Sequence, residues 1–274
     1  MIRTIKIEGF WTQYNVDWKP HPDVNILIGI NGSGKSTLLR ILDVALSCRP
    51  DLDLELHRFL AHEYVLRIAG DNINIKIHDG KNGNLCYNQC QYHYVNTFDE
   101  VIKEKKALDQ EMSPLSARLM TAIFDTHETS LNSYRLKATE GLAASNRVNK
   151  RLQQWITTVN DFFFTTKKTF GIQGNNVFFK RENGEKMSLE HLSAGEKQLL
   201  ILLTHALVQD KEPFILLLDE PEISLDIDWQ YKLIHTIRKF NPSCQLFIAT
   251  HSPGIFGDGW NDKLIFMEEL LQKQ

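Results

Sequence analysis

The pattern of apolar and polar positions divides the chain into three parts. Ile2 to Ile7 alternates as a half-buried strand does, and Val24 to Ile28 is a short apolar run that stops at glycines. Further strands are predicted at Tyr64 to Ile68, Ile73 to Ile77 and Tyr92 to Val95, with Gly70-Asp71 and Asp79-Gly80 as turn signals. From about residue 96 to 165 the spacing becomes helical, over Glu100 to Gln110, Leu115 to Phe124 and Asn146 to Phe164. None of these runs keeps a heptad over several repeats, so no long coiled coil is expected. Val177 to Phe179 and Met187 to Leu189 flank Asn183-Gly184, which predicts a hairpin. From Leu192 onward helix and buried strand alternate, as in a parallel sheet covered by helices.

This pattern predicts an α/β fold of three segments. Residues 1–95 are a strand-rich first half of one domain, 96–187 a mainly helical insertion ending in the hairpin, and 188–274 the second half. The chain has 274 residues with 42% hydrophobic and 24% charged positions, enough for a buried core. A net charge of −3 argues against nonspecific nucleic-acid binding by the whole surface and leaves room for a local basic patch. Arg147, Lys150 and Arg151 share one helix face, which reads either as a solvated charged face or as a docking surface for nucleic acid or an acidic partner. Four cysteines, Cys48, Cys86, Cys90 and Cys244, complete no zinc pattern and are expected as free thiols in a reducing compartment. With no signal peptide and no apolar stretch of about 18 residues, the expected location is the cytoplasm, without a membrane partner.

Candidate chemistry begins at "GINGSGKST", Gly29 to Thr37. A strand precedes it and a helical run, Leu38 to Leu46, follows, the context in which this pattern cradles phosphates. Backbone N–H groups of Asn31, Gly32, Ser33, Gly34 and Thr37 would face phosphate oxygens, helped by the helix N-terminus. Lys35 would reach the β- and γ-phosphates, and the Ser36 hydroxyl would ligate Mg²⁺. The run "FILLLDEPE" then reads as a strand buried on both faces that ends in acids. Asp219 emerges where open α/β sheets bind ligands and would hold the Mg²⁺, while Glu220 would polarise the attacking water. A third strand, "LFIATHSP", ends at His251, which would stand beside the phosphates.

"HLSAGEKQ", His191 to Gln198, is a capping box: Ser193 accepts from the Glu196 N–H, and Glu196 reaches back. A helix start opened by Ala194-Gly195 is also an anion site. Since the chain's own phosphates are already cradled at Lys35, a second such start makes sense if it serves the ATP of another molecule.

In order and spacing these residues resemble the ABC-type ATPases in the broad sense. "GINGSGKST" stands as Walker A, "LSAGE" as the signature, "FILLLDE" as Walker B, "SLD" as the D-loop and "THS" as the H-loop. "DEPEISLD" followed by Trp229-Gln230 is similar to the OLD-type and AAA15/AAA21-like ATPases, relatives of the SMC, Rad50 and RecF group. The resemblance covers about residues 1–50 and 185–265. It implies a P-loop NTPase of ABC type, hydrolysis of ATP with Mg²⁺, and a homodimer or multiple of dimers that sandwiches two nucleotides. Glu220, His251 and Lys35 are the implied catalytic set. In trans, Ser193, Ala194, Gly195, Glu196 and Asp226 would complete the partner's site. The signature departs from LSGGQ. No glutamine stands securely as the Q-loop residue: Asn96, Thr97 and Asp99 are candidates, with Gln89 and Gln91 behind them, and Trp11 and Tyr14 are candidates to stack on adenine. Many members of this group serve anti-phage defence, often beside a nuclease. Because 23 residues follow His251, such an effector is expected on a separate chain. A DNA-repair ATPase, a transporter subunit and a nucleotide-gated scaffold are the alternatives.

Overall fold

The computed structural model describes residues 1–49, 56–78, 84–96, 113–126, 129–257 and 259–273. The chain forms two compact units, one of Met1–Thr97, Glu212–Glu222 and Ser243–Gln274, the other of Phe98–Lys211 and Ile223–Pro242.

The first unit is built on two sheets. Five strands run parallel in the order Leu264–Phe266, Val24–Ile28, Cys244–Ala249, Phe214–Asp219 and Gln91–Asn96. The two central strands from the second half of the chain are buried at every position, which is why residues 214–218 and 246–249 read as apolar runs. Six strands form an antiparallel sheet in the order Leu271–Lys273, Tyr14–Trp18, Ile2–Phe10, Leu60–Gly70, Ile73–His78 and Leu85–Asn88. Ile2–Phe10 alternates between buried and exposed positions, and Ile5, Ile7 and Phe10 join the core. The helix Lys35–Ser47 buries Leu38, Leu39, Ile41, Leu42 and Val44 among core residues of both sheets, including Ile68, Ile75, Ile215 and Leu217. This burial fixes the end of the helix that carries Lys35 and Ser36.

Cys48 and Cys86, expected as free thiols, are joined in a disulfide with Cα atoms 5.6 Å apart. Cys48 ends the phosphate-loop helix and Cys86 lies on the strand Leu85–Asn88, so the pairing is made by the fold across 38 residues. Sequence spacing cannot show that proximity. Cys90 and Cys244 are not disulfide-bonded.

The second unit is mainly helical. Among the described residues its α-helices are Pro114–Phe124, Leu131–Leu136, Leu142–Phe163, Ala194–Val208 and Ile227–Phe240. A three-stranded antiparallel sheet, Lys168–Gln173, Asn176–Arg181 and Lys186–Met187, follows the long helix. It contains the expected turn at Asn183-Gly184 and one more strand than the pattern predicted. Phe170 packs on Trp155 at a ring distance of 5.0 Å and Phe179 on Phe163 at 4.6 Å, fastening the sheet to the long helix. The predicted helix Glu100 to Gln110 lies outside the described residues. Among the described residues no helix is long and apolar enough to cross a membrane.

Candidate functional site

Three neighbouring parallel strands of the first unit end side by side. Asp219 is level with Ala249, and Ala249 with Leu27. The phosphate loop, the acidic turn after Asp219 and His251 therefore leave the sheet along one edge, at the carboxyl ends of the strands.

The loop's conformation is set by glycine where side chains would not fit. Gly34 caps the helix at φ 98° without a side-chain hydrogen bond, and a Cβ there would stand 3.0 Å from Phe10 and 3.1 Å from Trp11. Lys35 is buried, and its Nζ donates to the carbonyls of Gly29 and Ile30 at 3.1 and 3.2 Å. Burial lowers its pKa, against the pull of Glu220, Asp219 and Glu222. The Ser33 hydroxyl oxygen is buried and has no hydrogen-bond partner among the described residues. A buried orphan of that kind, in a glycine-rich loop before a helix N-terminus, suits a phosphate oxygen.

Asp219 sits between two hydroxyls. Ser36 Oγ donates to Oδ1 at 2.7 Å, and Tyr94 OH donates to Oδ2 at 3.1 Å. Burial raises its pKa and Glu222 adds to the rise, while Ser36, Tyr94 and Lys35 oppose it. Glu220 follows in the left-handed region at φ 50°, with its N–H bonded to the Ala249 carbonyl at 2.8 Å. Strained backbone of this sort costs about 1–3 kcal/mol and clusters at functional sites. The Glu220 pKa is raised, first by burial and then by Asp219 and Glu222. His251 Nε2 lies 4.0 Å from Glu220 Oε1, and the His251 N–H donates to Glu222 Oε1 at 2.8 Å. Three carboxylates thus crowd one lysine. A hard divalent cation fits this donor set, because Ser36 and Asp219 offer adjacent oxygens and a cation would relieve the repulsion.

A cavity of about 500 Å³ opens beside the loop, lined by Trp11, Tyr14, Ile30, Gly32 and Ser33 with Glu268 and Lys273. Both aromatic candidates for an adenine contact line it. Of the Q-loop candidates, Thr97 and Asp99 lie outside the described residues, and Asn96 ends the strand level with Asp219.

The signature segment belongs to the second unit. Its capping box is complete: Ser193 Oγ accepts from the Glu196 N–H at 3.3 Å, and the Ser193 N–H donates to Glu196 Oε2 at 2.8 Å. Ser193 and Ala194 are exposed. Gly195 is buried, and a Cβ on it would fall 1.9 Å from the Ser224 carbonyl oxygen. Close approach of the "SLD" backbone thus requires that glycine. Asp226 caps the next helix by accepting from the Asp228 N–H at 3.0 Å. Glu196 is only 2% exposed and is clamped by Lys168.

The expectation that all three basic residues share an exposed face is corrected. Arg151 is buried, 3.0 Å from Asp210, and donates to the carbonyls of Leu207 and Phe240 at 3.2 Å. Arg147 also reaches Asp210, at 3.3 Å. The face carrying Arg151 turns inward, and only Lys150 and Arg147 stay exposed. Tyr94, Glu222 and Lys168 were not singled out from the sequence. A tyrosine beside a predicted strand end was the one signal available for Tyr94.

The family described as "AAA domain, putative AbiEii toxin, Type IV TA system" matches residues 96–257, more than half of the chain. The chain is 23% identical over 298 residues to Septu protein PtuA of Bacillus thuringiensis, a match covering 92% of this chain and 72% of that one. It is 44% identical over 63 residues to the DNA replication and repair protein RecF of Staphylococcus aureus, covering 22% of this chain and 17% of that one. Its fold is similar to a crystal structure of the SmcHead bound to the C-winged helix domain of ScpA. That likeness has a TM-score of 0.67 and 13% identity, covering 100% of this chain and 97% of that one.

Proposed function

The chain belongs to the AAA21 family, an ABC-type ATPase of the SMC, Rad50 and RecF group, and from that premise we propose that it hydrolyses ATP within a nucleotide-closed dimer. The reading rests above all on Asp219, whose carboxylate is bonded to Ser36 Oγ at 2.7 Å with Glu220 next in the chain. Lys35 and the N–H groups from Asn31 to Thr37 bind the phosphates. Ser36 and Asp219 would hold Mg²⁺, which when bound neutralises charge on the phosphate oxygens. Glu220 takes the proton of the attacking water, and burial beside two carboxylates keeps its pKa raised toward that task. His251, 4.0 Å from Glu220, would orient it. Ser193 and its neighbours in the signature, with Asp226, complete the site of a second copy.

Two variants test this. Lys35→Ala is expected to abolish nucleotide binding. Glu220→Gln keeps binding, lowers turnover by about 10²- to 10⁴-fold and accumulates ATP-bound dimer. Normal turnover by Glu220→Gln removes the base assignment, and no turnover by the unaltered chain would favour a nucleotide-gated scaffold.

The partner reading follows the likenesses. Similarity to Septu protein PtuA supports a defence ATPase that controls a separate effector such as a nuclease. The RecF match supports the rival reading of a DNA-repair ATPase. Linear or branched DNA that raises ATP turnover several-fold with the chain alone favours the rival; turnover that responds only to a co-purified effector favours the defence reading.

A further inference from the structure

We propose that Lys168 is a positioning residue for the signature, holding Ser193 in place by clamping Glu196; the inference rests on the trans role proposed for that segment. Lys168 begins the strand Lys168–Gln173, and its Nζ lies 2.7 Å from both Glu196 oxygens. One of those oxygens, Oε2, also accepts the Ser193 N–H at 2.8 Å. A single buried carboxylate thus ties together the three-stranded sheet, the signature serine and the first turn of the helix Ala194–Val208.

The anchor behind Lys168 is firm. The Phe170 N–H donates to Asn160 Oδ1 at 2.6 Å, and Phe170 packs edge-on against Trp155. Trp155 in turn donates from Nε1 to the Leu203 carbonyl at 2.9 Å, in the middle of the signature helix. That helix is therefore gripped twice from one body: at Leu203 by a neutral hydrogen bond, and at its first turn by a charge pair. The pair also accounts for glutamate rather than glutamine after "LSAG". Glutamine would accept the Ser193 N–H equally well but would leave the Lys168 charge without its counter-ion. Without Lys168 the buried Glu196 carboxylate loses its counter-charge and must turn to solvent or take up a proton. Either change undoes the capping box and frees Ser193 from its geometry.

The experiment uses mixed dimers of the full chain. Lys168→Met alone is expected to lower ATP turnover at least 10-fold, while a fluorescent ATP analogue binds within about twofold of the unaltered chain. Lys168→Arg, which keeps the charge and can bond both oxygens, retains most of the activity. When Lys168→Met is mixed with Lys35→Ala, both defects fall in one site of each mixed dimer. The other site is intact, so about a quarter of the normal turnover returns. A general folding defect gives no such return. Should Lys168→Met not fold, Glu196→Gln replaces it in the same mixing, with a several-fold loss alone and the same recovery. Ser193→Arg mixed with Lys35→Ala is the control. If the control fails to complement, the trans role of the signature falls and this proposal with it. If the control complements but Lys168→Met is fully active alone, or is inactive and not restored by mixing, the positioning role of Lys168 is overturned and the trans role stands.

Discussion

Two helix N-termini carry the candidate nucleotide chemistry, and they are finished in opposite ways. The phosphate-loop helix starts behind Gly34 in a left-handed conformation with no side-chain cap, so its first N–H groups take no bond from a capping side chain. The signature helix starts behind Ser193 with a reciprocal cap, and the cap's carboxylate is itself neutralised by Lys168. Around the first, three acids crowd one buried lysine, and Asp219 and Glu220 have raised pKa values. Around the second, burial would raise the Glu196 pKa, yet the bonds from Lys168 and Ser193 hold it below its usual value. One end has donors and charge that a triphosphate and a cation would satisfy. The other is internally complete and presents a fixed serine. A fixed surface contributes when a partner closes on it, which is why binding and turnover should separate when each end is damaged.

The largest separation is expected from Gly195→Ala. The new methyl would fall 1.9 Å from the Ser224 carbonyl oxygen, and no rotamer change moves a backbone atom. The turn at Ser193 must part from the "SLD" segment, at a cost of about 1–3 kcal/mol of stability by the usual measure of overpacking. Turnover should drop about 100-fold or more, while nucleotide affinity stays within about threefold. Equilibrium binding and steady-state hydrolysis measured on one preparation check this. A parallel loss of affinity would mean that the two ends are not separable.

The sequence was most legible where a segment's burial is complete and its end is chemically marked. Val24–Ile28 and Phe214–Asp219 are apolar except at Asn25 and the terminal Asp219, and glycines or acids follow their apolar residues, so their limits and the parallel fold could be read directly. Lys35, Ser36, Asp219, Glu220 and His251 stand in short motifs tied to those strand ends, and one unit gathers them. Long-range pairing left no local trace. The strand Lys168–Gln173 escaped because Gly171 interrupts its alternation. A Cβ on that glycine would stand 2.9 Å from the Phe178 ring. Arg151 looked like one of three exposed charges because helical spacing gives a face without saying what covers it. Tyr94, Lys168 and the Cys48–Cys86 pair acquire their roles from partners between 28 and 125 residues away.

A smaller effect is expected at Tyr94, on the phosphate-loop side of the comparison. Its hydroxyl fixes the Asp219 oxygen that Ser36 does not, and the Arg40 guanidinium lies 5.9 Å from its ring. A hydrogen bond to a charged group contributes about 1.5–3 kcal/mol, part of which water would replace at this position. Tyr94→Phe should therefore weaken Mn²⁺ binding to the nucleotide-loaded protein by about 5- to 10-fold, read by electron paramagnetic resonance. ATP binding in the presence of a chelator should not change. Equal metal affinity in both proteins would show that the Tyr94 hydroxyl does not set the Asp219 carboxylate.

The smallest effect, and the finest test of the contrast, is at Ser33. The Ser33 hydroxyl has no hydrogen-bond partner among the described residues, and leaving a buried polar group unsatisfied costs about 1–3 kcal/mol. Ser33→Ala removes that group without adding volume. The nucleotide-free protein is therefore expected to unfold at an equal or higher denaturant concentration, with a gain of up to about 1 kcal/mol. If the hydroxyl meets a phosphate oxygen when ATP binds, the same variant should bind ATP a few-fold more weakly, so that saturating nucleotide stabilises it less than it stabilises the unaltered chain. The two shifts have opposite signs, and one pair of denaturation curves with and without ATP measures both. A loss of stability in the nucleotide-free protein would mean that Ser33 is held by the fold, as Ser193 is, and the distinction between a receptive loop and a completed helix start would no longer hold at this residue.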